Sequence, residues 1–308
     1  MLKSTAGGGG IWMQLCQSQQ ELTDAFDSVK RSGANNFAVD SVFVEKFIAH
    51  AKHIEVQVFG DGNGKALAIG ERDCSSQRRN QKVIEECPAP NLSDKVRETL
   101  HLTAESLLSS VVYRNVGTVE FIYDADNGEF YFLEVNTRLQ VEHGVTEEVF
   151  GIDIVQWMLQ LAAGEQFNLN DERQNLVPKG HAIQVRIYAE DPYRDFQPCP
   201  GLLEDVSFPE GEGLRIDHWI ESGVEVSPYF DSMLAKVIVH DKDRPSALSK
   251  LSSTLSDIRL YGSETNLRYL QSLVCDPVLT SGDVTTRYLN EFTFSPARIY
   301  VLQGGTQT

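Results

Sequence analysis

No apolar run in this sequence reaches the ~20 residues that a membrane-spanning helix needs, and its first residues show no charged-then-apolar leader pattern. Cysteine is sparse. Cys16, Cys74, Cys87, Cys199 and Cys275 are scattered, odd in number and without a CxxC pair, which reads as reduced thiols in a cytoplasmic protein. Positive charge is also short. The chain has 27 Lys and Arg against 44 Asp and Glu, a net charge of −17, which argues against nucleic acid or an anionic membrane as partner. It does not argue against a nucleotide, because a local cluster of Lys and Arg holds phosphates even in an acidic protein. The 308 residues are enough for two domains, and 41% hydrophobic with 23% charged residues is an ordinary globular composition.

The most informative stretch is FYFLEVNTRLQVEH, Phe130 to His143. At period two, Glu134, Asn136, Arg138, Gln140 and Glu142 share one face of an extended chain; Val135, Thr137, Leu139 and Val141 share the other. A half-buried strand with a solvated face is one explanation. The run Phe130 to Leu133 is apolar on both faces, however, and predicts a strand that enters from a buried place, where a carboxylate needs a partner. Upstream, GTVEFIYDADNGEF reads as a strand, a turn and this same strand. A two-residue Asn127-Gly128 turn sets Glu120 opposite Val135. A three-residue loop, Asp126-Asn127-Gly128, with Gly128 at positive φ, sets Glu120 opposite Glu134. That register gathers two carboxylates and Asn136 in one patch, which needs a cation. Few, oxygen-only ligands suit Mg²⁺ or Mn²⁺ that keeps waters and borrows phosphate oxygens from a nucleotide.

The opening MLKSTAGGGGIWM is either a flexible linker or a loop whose backbone N–H groups cradle phosphates beside Lys3. Gln20 to Arg31 has helical spacing of Leu22, Ala25, Phe26 and Val29, with Gly33 as C-cap. VFVEKFI reads as a strand. AKHIEVQVFGDGNGKALAIGERDCS reads as a hairpin with His53, Glu55 and Gln57 on one face; taken alone, such a histidine is a surface or satisfied residue. ERDCSSQRRNQKVIEECPAP carries Arg72, Arg78, Arg79 and Lys82, a solvated face or an anion site. Ser93 to Val112 reads as a helix N-capped by Ser93, with Val96, Leu100, Ala104, Leu107, Leu108 and Val111 on its apolar face. Asp153 to Ala163 reads as another, with Asp153 as N-cap, Gly164 as C-cap, and Trp157 and Leu161 in the core. From Gly180 the composition turns β-rich. Arg186, taken alone, reads as a strand-edge arginine paired with Glu190.

Glu120 with ExNxRxQVEH, Glu134 to His143, resembles the metal-binding and catalytic strand of biotin carboxylases, which belong to the ATP-grasp enzymes. The basic segment resembles their ERDCSxQRRxQKxxEExPAP, and the opening resembles their lid loop KxxxGGGGxG. Trp12 stands where the family carries another glycine, and Asn80 where many members carry histidine. FQPCPGLLEDVSFPEG, DHWIESGVEVSPYFDSMLAKVIVH, RLYGSETNLRYL and the closing FTFSPARIYVLQGGTQT resemble the urea carboxylase (urea amidolyase) branch.

The resemblance implies an α+β chain. Residues 1–48 would be a partial ATP-grasp lid and 49–178 the nucleotide- and metal-binding domain. A biotin carboxylase C-terminal domain would follow over 179–291, and a carboxyltransferase region would start at 292–308. It implies ATP, Mg²⁺ or Mn²⁺, and biotin as cofactors. Lys3, Gly9 and Gly10 would hold phosphates; Glu45, Lys46, Phe47 and Ile48 would receive adenine and ribose. His53, Gln77, Asn80 and Val141 would also contact the nucleotide or cofactor. Glu120, Glu134 and Asn136 would bind the metal. Lys82 and Arg138 would hold bicarbonate, Glu142 would deprotonate it, and Arg186 would stabilise the biotin enolate. The implied reaction is ATP- and bicarbonate-dependent carboxylation of biotin, the first half-reaction of a urea carboxylase. The implied partners are ATP, bicarbonate, a biotinyl carrier domain and a carboxyltransferase domain, with neither nucleic acid nor membrane.

The family has an N-terminal domain and earlier lid strands before the glycine loop, and an AMKM-like carrier segment. This sequence has neither, so it reads as an N-terminally truncated piece of a longer protein. With two residues ahead of Lys3, no strand is expected there, and the 308 residues alone are not expected to carboxylate biotin. Two other readings fit the same residues. One is a non-catalytic remnant that binds nucleotide weakly or only a partner. The other is the biotin carboxylase piece of an acyl-CoA or pyruvate carboxylase.

Overall fold

The computed structural model describes residues 1–5, 13–37, 41–79, 81–165 and 168–295, apart from the side chains of 32–37. The expected contacts of Gly9, Gly10 and Asn80, the departure at Trp12 and most of the closing segment lie outside them.

A small antiparallel sheet comes first, with β1 (Leu2–Ser4) between β2 (Met13–Gln14) and β3 (Val42–Val44). Lys3 therefore does stand on a strand, contrary to expectation. Its short strand is fixed by ladders on both edges and by Leu2 packing on Ala25 and Val29 of helix α1 (Gln19–Phe37). Helix α1 runs through Gly33, which is not its C-cap. The strand predicted for VFVEKFI stops at Val44, so Glu45 to Ile48 lie beyond it.

The main sheet is antiparallel throughout. Its order is Leu214–His218, Met233–Asp241, β9 (His181–Tyr188), β6 (Gln81–Cys87), β5 (Ala66–Arg78), β4 (Ala51–Asp61), β7 (Arg114–Asp124) and β8 (Glu129–Asn136). Alternation in β4 decides its two faces. Ile54, Val56 and Val58 pack on Leu100, Ala104 and Leu108 of α2 (Asp94–Ser110). His53, Glu55 and Gln57 point the other way. Ser93 caps α2 as expected, its Oγ accepting from the Val96 N–H at 3.3 Å. Val111 ends the helix and is exposed rather than on its apolar face. Helix α3 (His143–Phe150) lies against β9, β6 and β5, and α4 (Ile154–Ala162) puts Trp157 edge-on to Phe59 with ring centroids 5.5 Å apart. Asp153 caps α4, accepting from the Gln156 N–H at 2.7 Å.

The β7–β8 hairpin reaches its expected register by an unexpected route. Asp124 pairs with Glu129, so the loop has four residues, Ala125 to Gly128, with Gly128 at φ 70°. That loop alone would set Glu120 opposite Leu133. An extra residue in β8, between the partners of Phe121 and Glu120, shifts the pairing so that Glu120 faces Glu134. Strand β8 does not enter from a buried place either. It is the edge of the sheet, and Tyr131, Phe132 and Leu133 are exposed because, among the described residues, no layer covers them.

The sheet continues across residues 178/179 through the β6–β9 ladder, and Phe292 and Phe294 pack on Tyr269 of the C-terminal core. One buried carboxylate fastens the two regions. Glu86 on β6 accepts from His181 Nε2 at 2.8 Å, and from Arg244 Nε at 2.6 Å and Nη2 at 3.1 Å. Burial would raise its pKa, but His181 and Arg244 outweigh that and hold it below the ordinary 4.5. A carboxylate depressed on folding contributes stability above its unfolded pKa and loses it as pH falls through the folded value. Glu86→Gln is therefore expected to lower the thermal midpoint at pH 6, with the gap to the parent shrinking as pH falls below about 4.5. Thermal melts across pH 3–6 check this; a gap that stays constant with pH refutes it.

Candidate active site

The sheet register builds the site. Arg72, Glu55, Glu120 and Glu134 are successive partners across β5, β4, β7 and β8. They form one row on the polar face, with Gln57, Thr118 and Asn136 in the next. Three carboxylates side by side repel one another unless cations intervene.

The cations come from both sides of the row. Arg72 is fully buried. Its Nη1 donates to Gln57 Oε1 at 2.7 Å and Thr146 Oγ1 at 3.0 Å, and its Nη2 to Glu55 Oε2 and Gln140 Oε1, each at 3.2 Å. His53 Nε2 stands 3.0 Å from Glu120 Oε2 and 3.2 Å from Glu55 Oε1. Burial works against its charge, but the two carboxylates outweigh it and lift the ring to about 9. Gln77 Nε2 lies 2.7 Å from His53 Nδ1, and the charged ring carries a proton on each nitrogen, so that Nε2–H faces the carboxylates while Nδ1–H calls for the Gln77 amide to present its oxygen. Lys82 donates to Glu55 and, at 2.6 Å, to Glu142 Oε1; its Nζ is 3.6 Å from Glu120. Burial would lift the Glu55 carboxyl, yet Lys82, His53 and Arg72 hold it well below the usual range.

Glu142 is buried at the turn that starts α3. Its second oxygen takes Arg186 Nη2 at 2.9 Å. Arg186 is not a strand-edge residue and does not pair with Glu190, which pairs with Arg78. It sits on an interior strand and shares itself between Glu142 and Glu85, whose Oε1 accepts from its Nε at 2.5 Å. Burial and the neighbouring Glu142 push the Glu85 carboxyl up, against the pull of Arg186.

The expected metal ligands do meet. Asn136 Nδ2 donates to Glu120 Oε1 at 2.7 Å and lies 3.4 Å from Glu134 Oε1. Arg138 is exposed at the rim, donating to Asn136 Oδ1 at 3.3 Å. The five-residue polar face, however, is not one strand. Strand β8 ends at Asn136, and the chain turns so that Gln140 reaches Glu120 at 2.9 Å from behind.

Other expectations are dispersed. Lys3 pairs with Glu45 across the small sheet. Lys46 reaches Asp124 at 3.7 Å and stands over the Tyr131 ring. Phe47 faces Arg287, and Ile48 is half-buried. The basic segment is not one anion site. Arg72 is buried in the row, Arg79 pairs with Asp195, and Lys82 alone of the four reaches Glu142.

Glu55, Gln140, Glu85 and Arg72 belong to the site and were not assigned to it from sequence. Period two already placed Glu55 beside His53. Glu85 was hidden because strict alternation puts it on the face opposite Lys82. The ladder shifts one residue between Gln77–Lys82 and Ser76–Ile84, so Val83 bulges and both side chains come to one face, Lys82 reaching Glu142 directly and Glu85 reaching the Arg186 that holds it.

A metal fits one part of this site better than another. Donor atoms of His53, Glu55 and Glu120 lie within 4.8 Å of one another, as do those of Glu55, Cys74 and Glu142. Lys82, Arg72 and the raised His53 already neutralise both groups. Glu134 offers its carboxylate at the exposed edge strand beside Glu120, and Asn136, whose Nδ2 faces both carboxylates, would add its oxygen once the amide turned over, giving the few oxygen ligands that Mg²⁺ takes together with waters and phosphate.

An antiparallel sheet with a carboxylate pair at its edge, buried cations behind it and a small lid-like sheet is the frame of an ATP-grasp ligase. The chain belongs to the family described as carbamoyl-phosphate synthase L chain, ATP binding domain, which matches residues 1–170; residues 184–291 match the biotin carboxylase C-terminal domain. Over its whole length the chain is 48% identical to urea amidolyase of Saccharomyces cerevisiae, of which it spans 17%. It is 45% identical to the solved Kluyveromyces lactis urea carboxylase, with a TM-score of 0.76, covering 87% of this chain and 23% of that one. The biotin carboxylase domain of Hydrogenobacter thermophilus 2-oxoglutarate carboxylase, solved as a dimer with MgADP, ADP and bicarbonate, is 38% identical with a TM-score of 0.87. That match covers 94% of this chain and 63% of the other. The chain thus spans about a sixth of the curated urea amidolyase it matches.

Proposed function

We propose that this region carboxylates biotin at the expense of ATP and bicarbonate, as the first half-reaction of a urea carboxylase. The observation that carries the reading is Glu142, held between Lys82 at 2.6 Å and Arg186 at 2.9 Å, with the Glu120 carboxylate 3.6 Å from the same lysine. Base, anion-holding cations and metal carboxylate meet at one point. The 48% identity to a urea amidolyase supports the acceptor branch.

Glu120, Glu134 and Asn136 would hold Mg²⁺ or Mn²⁺, which when bound neutralises phosphate charge. Lys82 and Arg138 hold bicarbonate through charge-assisted hydrogen bonds. Glu142 takes its proton, and Lys82 shares the charge of the anion that results. Arg186 presents positive charge where biotin accepts the carboxyl group. Lys3, Gly9, Gly10, Glu45 to Ile48, His53, Gln77, Asn80 and Val141 are assigned to the nucleotide and cofactor. The segments 1–48, 49–178, 179–291 and 292–308 are assigned as functional units; the main sheet runs through the second and third, and the first has a small sheet of its own. The finer partners are a biotinyl carrier domain and a carboxyltransferase domain, and the location is the cytoplasm.

Glu134→Gln tests the metal assignment. Glu134 is exposed, so the fold should survive. Loss of even an outer-shell metal partner costs about 10–100-fold in affinity, so loss of a direct carboxylate is expected to cost at least that. Mn²⁺ titration by electron paramagnetic resonance with nucleotide present reads it. Equal Mn²⁺ binding by mutant and parent sinks the assignment.

A further inference from the structure

Lys236 stands on the strand Met233–Asp241, with Asp217 as its register partner on one side and Arg186 of β9 on the other. Partners in one row share a face. Arg186 reaches the Glu142 carboxylate at 2.9 Å, and Lys236 reaches the residue before it, donating from Nζ to the Val141 carbonyl at 3.1 Å. Two adjacent cations of one row thus hold consecutive residues, one by its side chain and one by its backbone.

The lysine also pairs with Asp217 Oδ2 at 3.0 Å. That contact is redundant, because Arg215 donates to both Asp217 oxygens, from Nε at 3.0 Å and Nη2 at 3.1 Å. The Val141 contact is not duplicated: among the described residues no other side chain donates to that carbonyl. Residues 137–142 belong to no strand, and α3 begins only at His143, so no ladder fixes this backbone. The peptide joining Val141 to Glu142 is planar, so holding its carbonyl fixes the plane from which Glu142 leaves, at φ −85° and ψ 5°. Glu142 then has little freedom except its own rotamers, and both of its oxygens land on cations.

We propose that Lys236 is a positioning residue for Glu142: by holding the Val141 carbonyl it aims the carboxylate at Lys82 and Arg186. It serves the bicarbonate and carboxyl-acceptor end of the site and not the nucleotide end. The proposal rests on reading Glu142 as the base.

The test compares Lys236→Met, Lys236→Arg and Asp217→Asn in the full-length protein. Losing one charge-assisted hydrogen bond at a reacting group is expected to lower kcat for bicarbonate-dependent ATP turnover about 10- to 100-fold, with the KM for ATP within about twofold of the parent. Lys236→Arg restores most of the loss, because a guanidinium still donates to the carbonyl. Asp217→Asn leaves the lysine on Val141 and is expected to stay within about twofold, as for a half-exposed ion pair. Equal losses in Lys236→Met and Asp217→Asn overturn the proposal, since a general charge network would then explain both. A crystal structure of Lys236→Met gives a readout independent of turnover: Glu142 is expected to leave at least one of Lys82 and Arg186. An unmoved Glu142 overturns the positioning role whatever the activity. A parent without bicarbonate-dependent turnover overturns the proposed function instead, and the crystal comparison still decides the role of Lys236.

Discussion

Glu142→Gln is expected to lower bicarbonate-dependent ATP turnover by about 10²- to 10⁴-fold, the range that general-base catalysis contributes. The amide keeps the shape of the side chain and one acceptor oxygen. It cannot take a proton from bicarbonate, and its NH₂ faces a cation, because Lys82 and Arg186 each occupy one carboxylate oxygen. Folding should survive. Lys82 keeps Glu55 and Arg186 keeps Glu85, so neither cation is left buried alone. The loss in stability is then that of a strained hydrogen bond, about 1–3 kcal/mol. Nucleotide affinity should stay close to the parent's, because Glu142 faces the two cations and not the Glu120–Glu134–Asn136 edge. Phosphate release from ATP under saturating bicarbonate and biotin measures the effect. A loss smaller than tenfold would leave Glu142 as a counter-ion and require another base.

Much of this site could be read from spacing. Glu134 and Asn136 alternate on a strand that exists, and Glu120 does face Glu134. Ser93 and Asp153 cap the helices they were expected to cap, because a short polar side chain before an apolar period is a local signal. What escaped depends on events that leave no local trace. The β8 bulge sets the Glu120–Glu134 register, whereas a three-residue loop gives the same pairing on paper. The Val83 bulge reverses the parity of Glu85, which alternation cannot anticipate. Edge position is likewise a property of the whole sheet. The apolar run Phe130 to Leu133 suggested burial; Phe130 does pack on the core, but the strand order leaves Tyr131 to Leu133 at an edge that no other described element covers. Arg186 failed for the same reason in reverse: its strand lies inside the sheet, and its acidic partners come from β6 and the Glu142 turn, more than forty positions away in sequence.

The charge cluster Arg72 to Lys82 shows why composition alone misplaces a site, and it leads to the largest stability effect expected of this chain. Arg72→Met is expected to cost about 3–5 kcal/mol, the scale for removing one partner of a buried ion network. Arg72 has no exposed surface and ties five other residues together: Gln57 and Glu55 of β4, Thr118 of β7, Gln140 of the turn and Thr146 of α3. Methionine fills much of the volume but donates nothing. Glu55 would keep Lys82 and His53, yet Gln57, Gln140 and Thr146 would lose buried acceptor contacts together, and α3 would lose a polar tie to the sheet. Replacing the whole network by apolar residues could be neutral; removing its central cation alone cannot, because the acceptors stay behind and dry. Arg79 provides the contrast, since its Asp195 partner and the arginine itself are mostly exposed. Arg79→Ala should barely move the unfolding midpoint. Urea denaturation of both variants beside the parent, with m-values compared to confirm the same unfolding, reads the difference. If Arg72→Met and Arg79→Ala shift the midpoint alike, the buried row is not what holds β4, β5, β7 and α3 together, and the apolar α2 face must carry that stability instead.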